Sequence, residues 1–172
     1  MERQDKEMNA KQYLWCISIL RQAYKSKLLT GLPASAVAAQ AVLESGYGKS
    51  EPYDGETGKR SFNLFGIKAY PEKGLVGNNG YVECWTYEEI NGILEPKYRC
   101  FRAYKSHKDS FDDHAEVLKL PRYKKAFDYL TNPEQFITEV WKGGYASDSK
   151  YIEKIIPIIR TLNKIPIWML KL

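Results

Sequence analysis

Pro33-Ala-Ser-Ala-Val-Ala-Ala-Gln-Ala-Val-Leu-Glu44-Ser45 is the stretch on which the fold turns. Alanine is the strongest helix former, and a proline at the first position costs little because that N–H has no intrahelical partner. Small side chains let neighbouring helices come close, so the segment predicts a central helix, ended by Gly46 as a C-cap. On such a helix Val37, Ala41 and Glu44 stand at i, i+4 and i+7 and share one face. Glu44 therefore extends an apolar stripe. It also sits in the last turn, where the negative helix end disfavours a further anion. Burial and the dipole both act to raise its pKa, which is what a general acid requires. Spacing alone leaves a second reading open, a helix-end glutamate paired with Lys49 or another cation.

Outward from this helix, the pattern stays mostly helical. Asn9 reads as an N-cap for a helix to about Leu29, with Tyr13, Ile17, Leu20, Tyr24 and Leu28 on its apolar stripe and Gly31 as its stop. Residues 46–80 hold eight of the twelve glycines together with Pro52 and Pro71, and read as loops around an apolar island, Phe62–Ile67. Tyr81–Trp85 and Ile93–Tyr104 read as strands around Asn91-Gly92, a strong hairpin signal. Ser106 with Asp109 resembles a capping box for a helix to about Leu120. A short helix follows at Arg122–Leu130, then one from Asn132-Pro133 to Gly143-Gly144. The last runs over about Asp148–Leu162, with Asp148 as N-cap, Pro157 as a kink and Ile152, Ile155, Ile156, Ile159 and Leu162 on one face. The expected organisation is a flexible end at 1–8, one domain at 9–163 with a hairpin lobe at about 81–104, and an apolar tail at 164–172 that packs on the body or on a neighbour. The fold class is α+β, mostly α, with a groove between the helical lobe and the hairpin.

Composition removes several classes of function. At 172 residues, with 44% apolar and 27% charged side chains, the chain can bury a core without staples. The net charge of +5 is scattered, with no basic run, which speaks against nucleic acid as partner and suits a polyanionic surface. Three cysteines and two histidines lack zinc spacing, so neither metal nor cofactor is expected. Cys16 reads as core. Cys84 and Cys100 flank the hairpin and stay open as a disulfide or two free thiols. No stretch reaches the ~18 apolar residues of a membrane span, and the charged N-terminus does not read as a signal peptide. The chain is expected to be a monomer with no visible export address, and its mild positive charge suits an anionic surface such as a bacterial wall. The 13 Tyr and 4 Trp suit surface that stacks on ligands as well as a Tyr-rich core.

Leu43-Glu-Ser-Gly-Tyr-Gly48 followed by Asn63-Leu-Phe-Gly-Ile-Lys68 resembles glycoside hydrolase family 73, the peptidoglycan glucosaminidases. The resemblance continues through Thr86-Tyr-Glu88 and Gly92, Phe101-Arg-Ala-Tyr104, Ser106, Ser110-Phe111 and Asp113, and closes with Gly144-Tyr-Ala-Ser-Asp148 and Tyr151. It spans about Gln12 to Leu162. It implies a lysozyme-like scaffold and cleavage of the β-1,4 bond after N-acetylglucosamine in peptidoglycan. Glu44 falls at the place of the catalytic acid and Glu88 at that of the second carboxylate, with Glu89 one register step away. Tyr145 falls at the tyrosine beside the acid. Asn63 and Phe65 fall in the segment lining the sugar groove, and Tyr47 stands where tryptophan is common. Tyr151 joins the expected substrate-binding set. Apart from the resemblance, Asn63 reads equally as a loop residue satisfying local backbone groups, and Phe65 as core packing. His114 reads as a packed or surface residue and His107 as a loop residue. Trp85, Phe101 and Tyr104 read either as sugar-stacking rings or as glue between lobes. A lytic transglycosylase or muramidase on a similar scaffold, and a non-catalytic wall-binding module, are the competing readings.

Overall fold

The computed structural model describes residues 8–90 and 93–170, with the backbone alone for Glu88, Glu89, Ile90 and Leu94. Residues 1–7 of the flexible end expected at 1–8, and the Asn91-Gly92 turn, lie outside the described residues. Met8 belongs to the body, since it packs on the core with its Sδ 3.6 Å from Cys16 Sγ.

Five α-helices and one hairpin make up the frame: α1 (Ala10–Thr30), α2 (Ala34–Glu44), β1 (Tyr81–Ile90), β2 (Ile93–Arg102), α3 (His107–Leu118), α4 (Pro133–Lys142) and α5 (Tyr151–Asn163). A 3₁₀ segment, Pro121–Tyr129, stands where a short helix was expected. The capping chemistry is as the sequence specifies. Asn9 and Gln12 form a reciprocal capping box, and Gly31 closes α1 in the left-handed region at φ +76°. Ser106 and Asn132 accept from the third residue of α3 and α4. Two ends differ from expectation. Ser45, not Gly46, caps α2, and α5 begins three residues after Asp148, whose carboxylate instead accepts from the Lys150 N–H. Leu28 departs from the expected stripe of α1, being 84% exposed in the final turn.

α2 is the hub. Nine of its eleven residues, Ala34 through Val42, are buried, and α1, α4 and α5 pack around it. Pro157 lies inside α5, whose Tyr151, Ile155, Ile159 and Leu162 face this core. The tail packs on the body, with Ile165 and Leu170 buried and Tyr13 Oη 3.9 Å from Met169 Sδ. The loop after α2 is held by a glycine that nothing else can replace. A Cβ on Gly48 would lie 2.6 Å from the Trp15 ring, and its φ is +76°.

The hairpin is a two-stranded antiparallel ribbon in continuous register from Tyr81↔Arg102 to Ile90↔Ile93. β1 thus runs five residues beyond the expected Trp85, and β2 ends two residues before Tyr104. This register separates the two thiols. Glu83 faces Cys100 and Cys84 faces Arg99, so the pleat puts Cys84 and Cys100 on opposite sides. Both are free, and Cys100 donates to Glu83 Oε1 at 3.2 Å. Val82, Phe101 and Ala103 form a small core beneath the ribbon.

Candidate active site

The end of α2 opens into a groove of about 670 Å³ between the helical lobe and the base of the hairpin. Glu44, Phe65, Arg102, Tyr145, Asp148 and Tyr151 are among the residues that line it. Glu44 is the last helical residue of α2 and follows nine buried positions, so its backbone is fixed by the core. Its carboxyl pKa is raised to about 7. Burial is the main cause. The Tyr151 hydroxyl, which faces the carboxyl as a donor, holds the value down, and the nearby charge of Asp148 adds to the rise. Among the described residues no cation is among the influences on the Glu44 carboxyl, and Lys49 lines a different groove, so the reading of Glu44 as the ion-pair partner of Lys49 or another cation finds no support in the fold.

Two tyrosines flank the acid. Tyr151 begins α5 and is almost wholly buried, and its hydroxyl takes a 3.4 Å contact from Gln40 Nε2 of α2. The Tyr145 ring lies 6.1 Å from that of Tyr151, 6.3 Å from Tyr123 and 5.8 Å from His114. The Tyr145 hydroxyl is buried without a hydrogen-bond partner. Its pKa is pushed well up, first by burial and then by the charge of Glu44, so it stays a neutral donor. An unpartnered buried hydroxyl costs stability, and this one lies close enough to Glu44 to feel its charge.

Phe65 lines the groove and also belongs to the core. It stacks on His114 at 3.8 Å with the planes 9° apart, and meets Phe111 edge-on at 5.1 Å. His114 is fully buried, and desolvation lowers its pKa to about 3, so it backs Phe65 as a neutral ring. His107 opens α3 and is not a loop residue; its Nε2 lies 2.7 Å from Glu51 Oε1.

Two expected substrate residues have other roles in the fold. Asn63 is 1% exposed, and its side-chain amide is spent on backbone. Nδ2 donates to the carbonyls of Ile67 and Arg102, both at 2.9 Å, and Oδ1 accepts from the N–H groups of Phe65 and Ile67. Asn63 therefore pins the Phe65–Ile67 turn to β2 and does not present its amide to the groove. Tyr47, held in the left-handed region at φ +60°, packs against the core near Cys16 and does not line the groove. Tyr104 is likewise core, donating to Asp113 Oδ2 at 2.6 Å. That carboxylate also takes Arg102 Nη1 on both oxygens at 2.8 Å. Arg102, Lys68 and Arg122 also line the groove; Arg102 and Lys68 fall inside the motifs quoted above, but spacing alone gives no sign that the three cations converge. Glu88 lies opposite Glu95 in the ribbon. The choice between the Glu88 and Glu89 faces lies outside the described residues. Among the described residues no cluster of His, Cys, Asp and Glu is arranged to hold a metal, and no helix is long and apolar enough to cross a membrane.

A desolvated carboxylic acid at the end of a buried helix, looking across a groove at a β-hairpin, defines the lysozyme-like class of glycoside hydrolases. The comparison with known proteins supplies the family. Residues 20–164 match the Glucosaminidase family, described as mannosyl-glycoprotein endo-β-N-acetylglucosaminidase, and the chain belongs to it as a glycoside hydrolase family 73 domain. It is 34% identical over 159 residues to the peptidoglycan hydrolase FlgJ of Pseudomonas aeruginosa, covering 92% of this chain and 38% of that one. A probable N-acetylmuramidase of Lactococcus lactis is 35% identical over 144 residues, covering 77% and 29%. The solved, C-terminally truncated glycoside hydrolase domain of Salmonella typhimurium FlgJ superposes with a TM-score of 0.68 at 28% identity, covering 90% of this chain and 99% of that one. The chain spans about two-fifths of the length of the FlgJ relatives it matches.

Proposed function

We propose that this domain hydrolyses the β-1,4 bond after N-acetylglucosamine in the glycan strands of bacterial peptidoglycan, with Glu44 as general acid. The observation that carries this reading is the Glu44 carboxyl, raised to about 7 at the floor of the groove. Near neutral pH it holds a proton to give to the leaving oxygen. The names of the family's members point to the same substrate, the bacterial cell wall.

Glu88 supplies the second carboxylate. It either activates water, giving inversion, or supports an intermediate formed by the substrate's own N-acetyl group, giving retention. A carboxyl separation of about 6.5–9.5 Å in the working complex fits the first. Tyr145 donates its unpartnered hydroxyl to the N-acetyl group or to charge developing at the anomeric carbon. Tyr151 tunes Glu44 and contacts sugar at the groove wall. Phe65 offers an apolar edge. Asn63 acts on substrate only through the turn it holds, and Tyr47 supports the loop after α2.

The test is digestion of purified sacculi with mass-spectrometric analysis of the new ends. Wild-type protein is expected to release N-acetylglucosamine reducing ends. Glu44→Gln, which keeps the shape, should fold and lose about 10²–10⁴-fold in rate. A Glu44→Gln protein with most of its activity refutes the role of Glu44. The L. lactis relative supports a second reading, a muramidase, which would release N-acetylmuramic acid reducing ends. Anhydro ends would mark a transglycosylase.

A further inference from the structure

The hairpin walls a second groove, of about 800 Å³, that shares no lining residue with the groove of Glu44. It runs between β1–β2 and the loop that follows α2. Four aromatic rings in it are far more exposed than packing requires: Tyr87 at 71%, Trp85 at 70%, Tyr53 at 61% and Tyr98 at 46%. Trp85 and Tyr98 meet edge-on across the ribbon at 5.5 Å. Neighbouring strands hold them in place, while their faces remain in solvent. Monomeric surfaces rarely gather exposed apolar side chains without a ligand to cover them.

The polar part of the groove narrows the ligand. Glu51, Glu56 and Glu83 line it against one lysine, Lys49, and after desolvation the charges of Glu83, Glu56 and Asp54 help raise the Tyr98 hydroxyl pKa. Carboxylates beside aromatic faces repel phosphate and other anions, and they accept hydrogen bonds from hydroxyl groups. A pyranose ring presents both matching surfaces, apolar C–H faces for the rings and hydroxyls for the carboxylates. We propose that this groove is a second, non-catalytic glycan-binding site, which takes a neutral N-acetylhexosamine stretch of a strand. The inference rests on the proposed glycan substrate and adds a holding site to it. A second contact on a polymer raises the effective concentration of the strand at the first groove.

The test uses the full chain carrying Glu44→Gln, so that nothing is cleaved, with chitohexaose and intact sacculi as probes. Binding to each is measured by calorimetry and sedimentation, with and without Trp85→Ala. Trp85→Ala is expected to weaken sacculus binding about tenfold, the scale of one stacked ring. In the wild-type background it should leave turnover of a short soluble tetrasaccharide unchanged while slowing sacculus digestion. Unchanged sacculus binding by a folded Trp85→Ala protein overturns the proposal. So does an equal loss on the tetrasaccharide, which would make Trp85 part of the first groove. Tyr98→Ala repeats the experiment if Trp85→Ala does not fold. Failure of wild-type protein to cleave sacculi bears on the catalytic reading alone, because these binding measurements do not require turnover.

Discussion

The end of α2 and the β1–β2 hairpin are built on opposite principles. α2 lies inside the molecule, so the position of Glu44 is set by nine buried residues and by three helices packed around them. The hairpin is a ribbon of two strands with a core of three buried side chains at its base and its large rings in solvent. Burial is what raises the Glu44 pKa. The raised pKa of Glu44 needs the desolvation found at the end of α2, whereas the rings proposed to hold glycan lie where they are exposed. Two-stranded ribbons also carry little of their own stability, which suits a wall that adjusts to a strand.

The sharpest way to break this contrast is to ask whether the hairpin contributes chemistry as well as contact. Glu88→Gln is expected to reduce sacculus hydrolysis about 10²-fold, and Glu89→Gln much less. The initial rate of reducing-end release separates them. The reverse order would assign the carboxylate to the other face of β1. Equal small effects would leave Glu44 as the sole catalytic carboxyl and the hairpin as a binding wall.

A smaller effect is expected from Tyr145→Phe. The hydroxyl is buried and unpartnered, so its removal should leave the melting temperature unchanged or raise it. If the hydroxyl meets the N-acetyl group, kcat should fall about tenfold while the fold gains. Thermal melting and steady-state kinetics on one preparation check both halves. Loss of stability would show that the hydroxyl is satisfied within the protein, and unchanged kcat would remove it from the site.

The same contrast explains what could be read from the sequence. The α2 stretch was legible because alanine content, the proline start and the i, i+4, i+7 spacing of Val37, Ala41 and Glu44 are local signals. The caps at Asn9, Ser106 and Asn132 are local too. For Asn63 the sequence left two readings open, and the local one, an amide that satisfies nearby backbone, is what the fold builds; only its bond to the Arg102 carbonyl, 39 residues away, could not be read. Cys84 and Cys100 could be judged only once the register was known, since a one-residue shift exchanges the faces of a strand. Tyr47 looked like a groove residue from its motif, yet a left-handed backbone carries its ring toward α1's Cys16. Of the two readings of His114, packed or surface, the packed one holds, but its place beneath Phe65 with both ring nitrogens unpartnered depends on contacts across the chain. Local chemistry placed the acid, and long-range packing decided which neighbours surround it.

The finest test concerns the tuning of that acid. On the proposed mechanism Glu44 acts when protonated, so hydrolysis should fall as pH rises through about 7. Tyr151 donates to the ionised carboxyl and so favours the charged form. Tyr151→Phe removes that donor and should raise the Glu44 pKa further. The alkaline limb of kcat against pH should then move to higher pH by a fraction of a unit, with the limb's shape unchanged. A limb that does not move would show that the carboxyl depends on burial and Asp148 alone, and one that moves to lower pH would show that Tyr151 favours the neutral acid. Stability should fall by about 1 kcal/mol, because Gln40 Nε2 loses its acceptor in the core. That loss is independent of the shift in the limb, so a pH profile recorded well below the melting temperature separates tuning from packing.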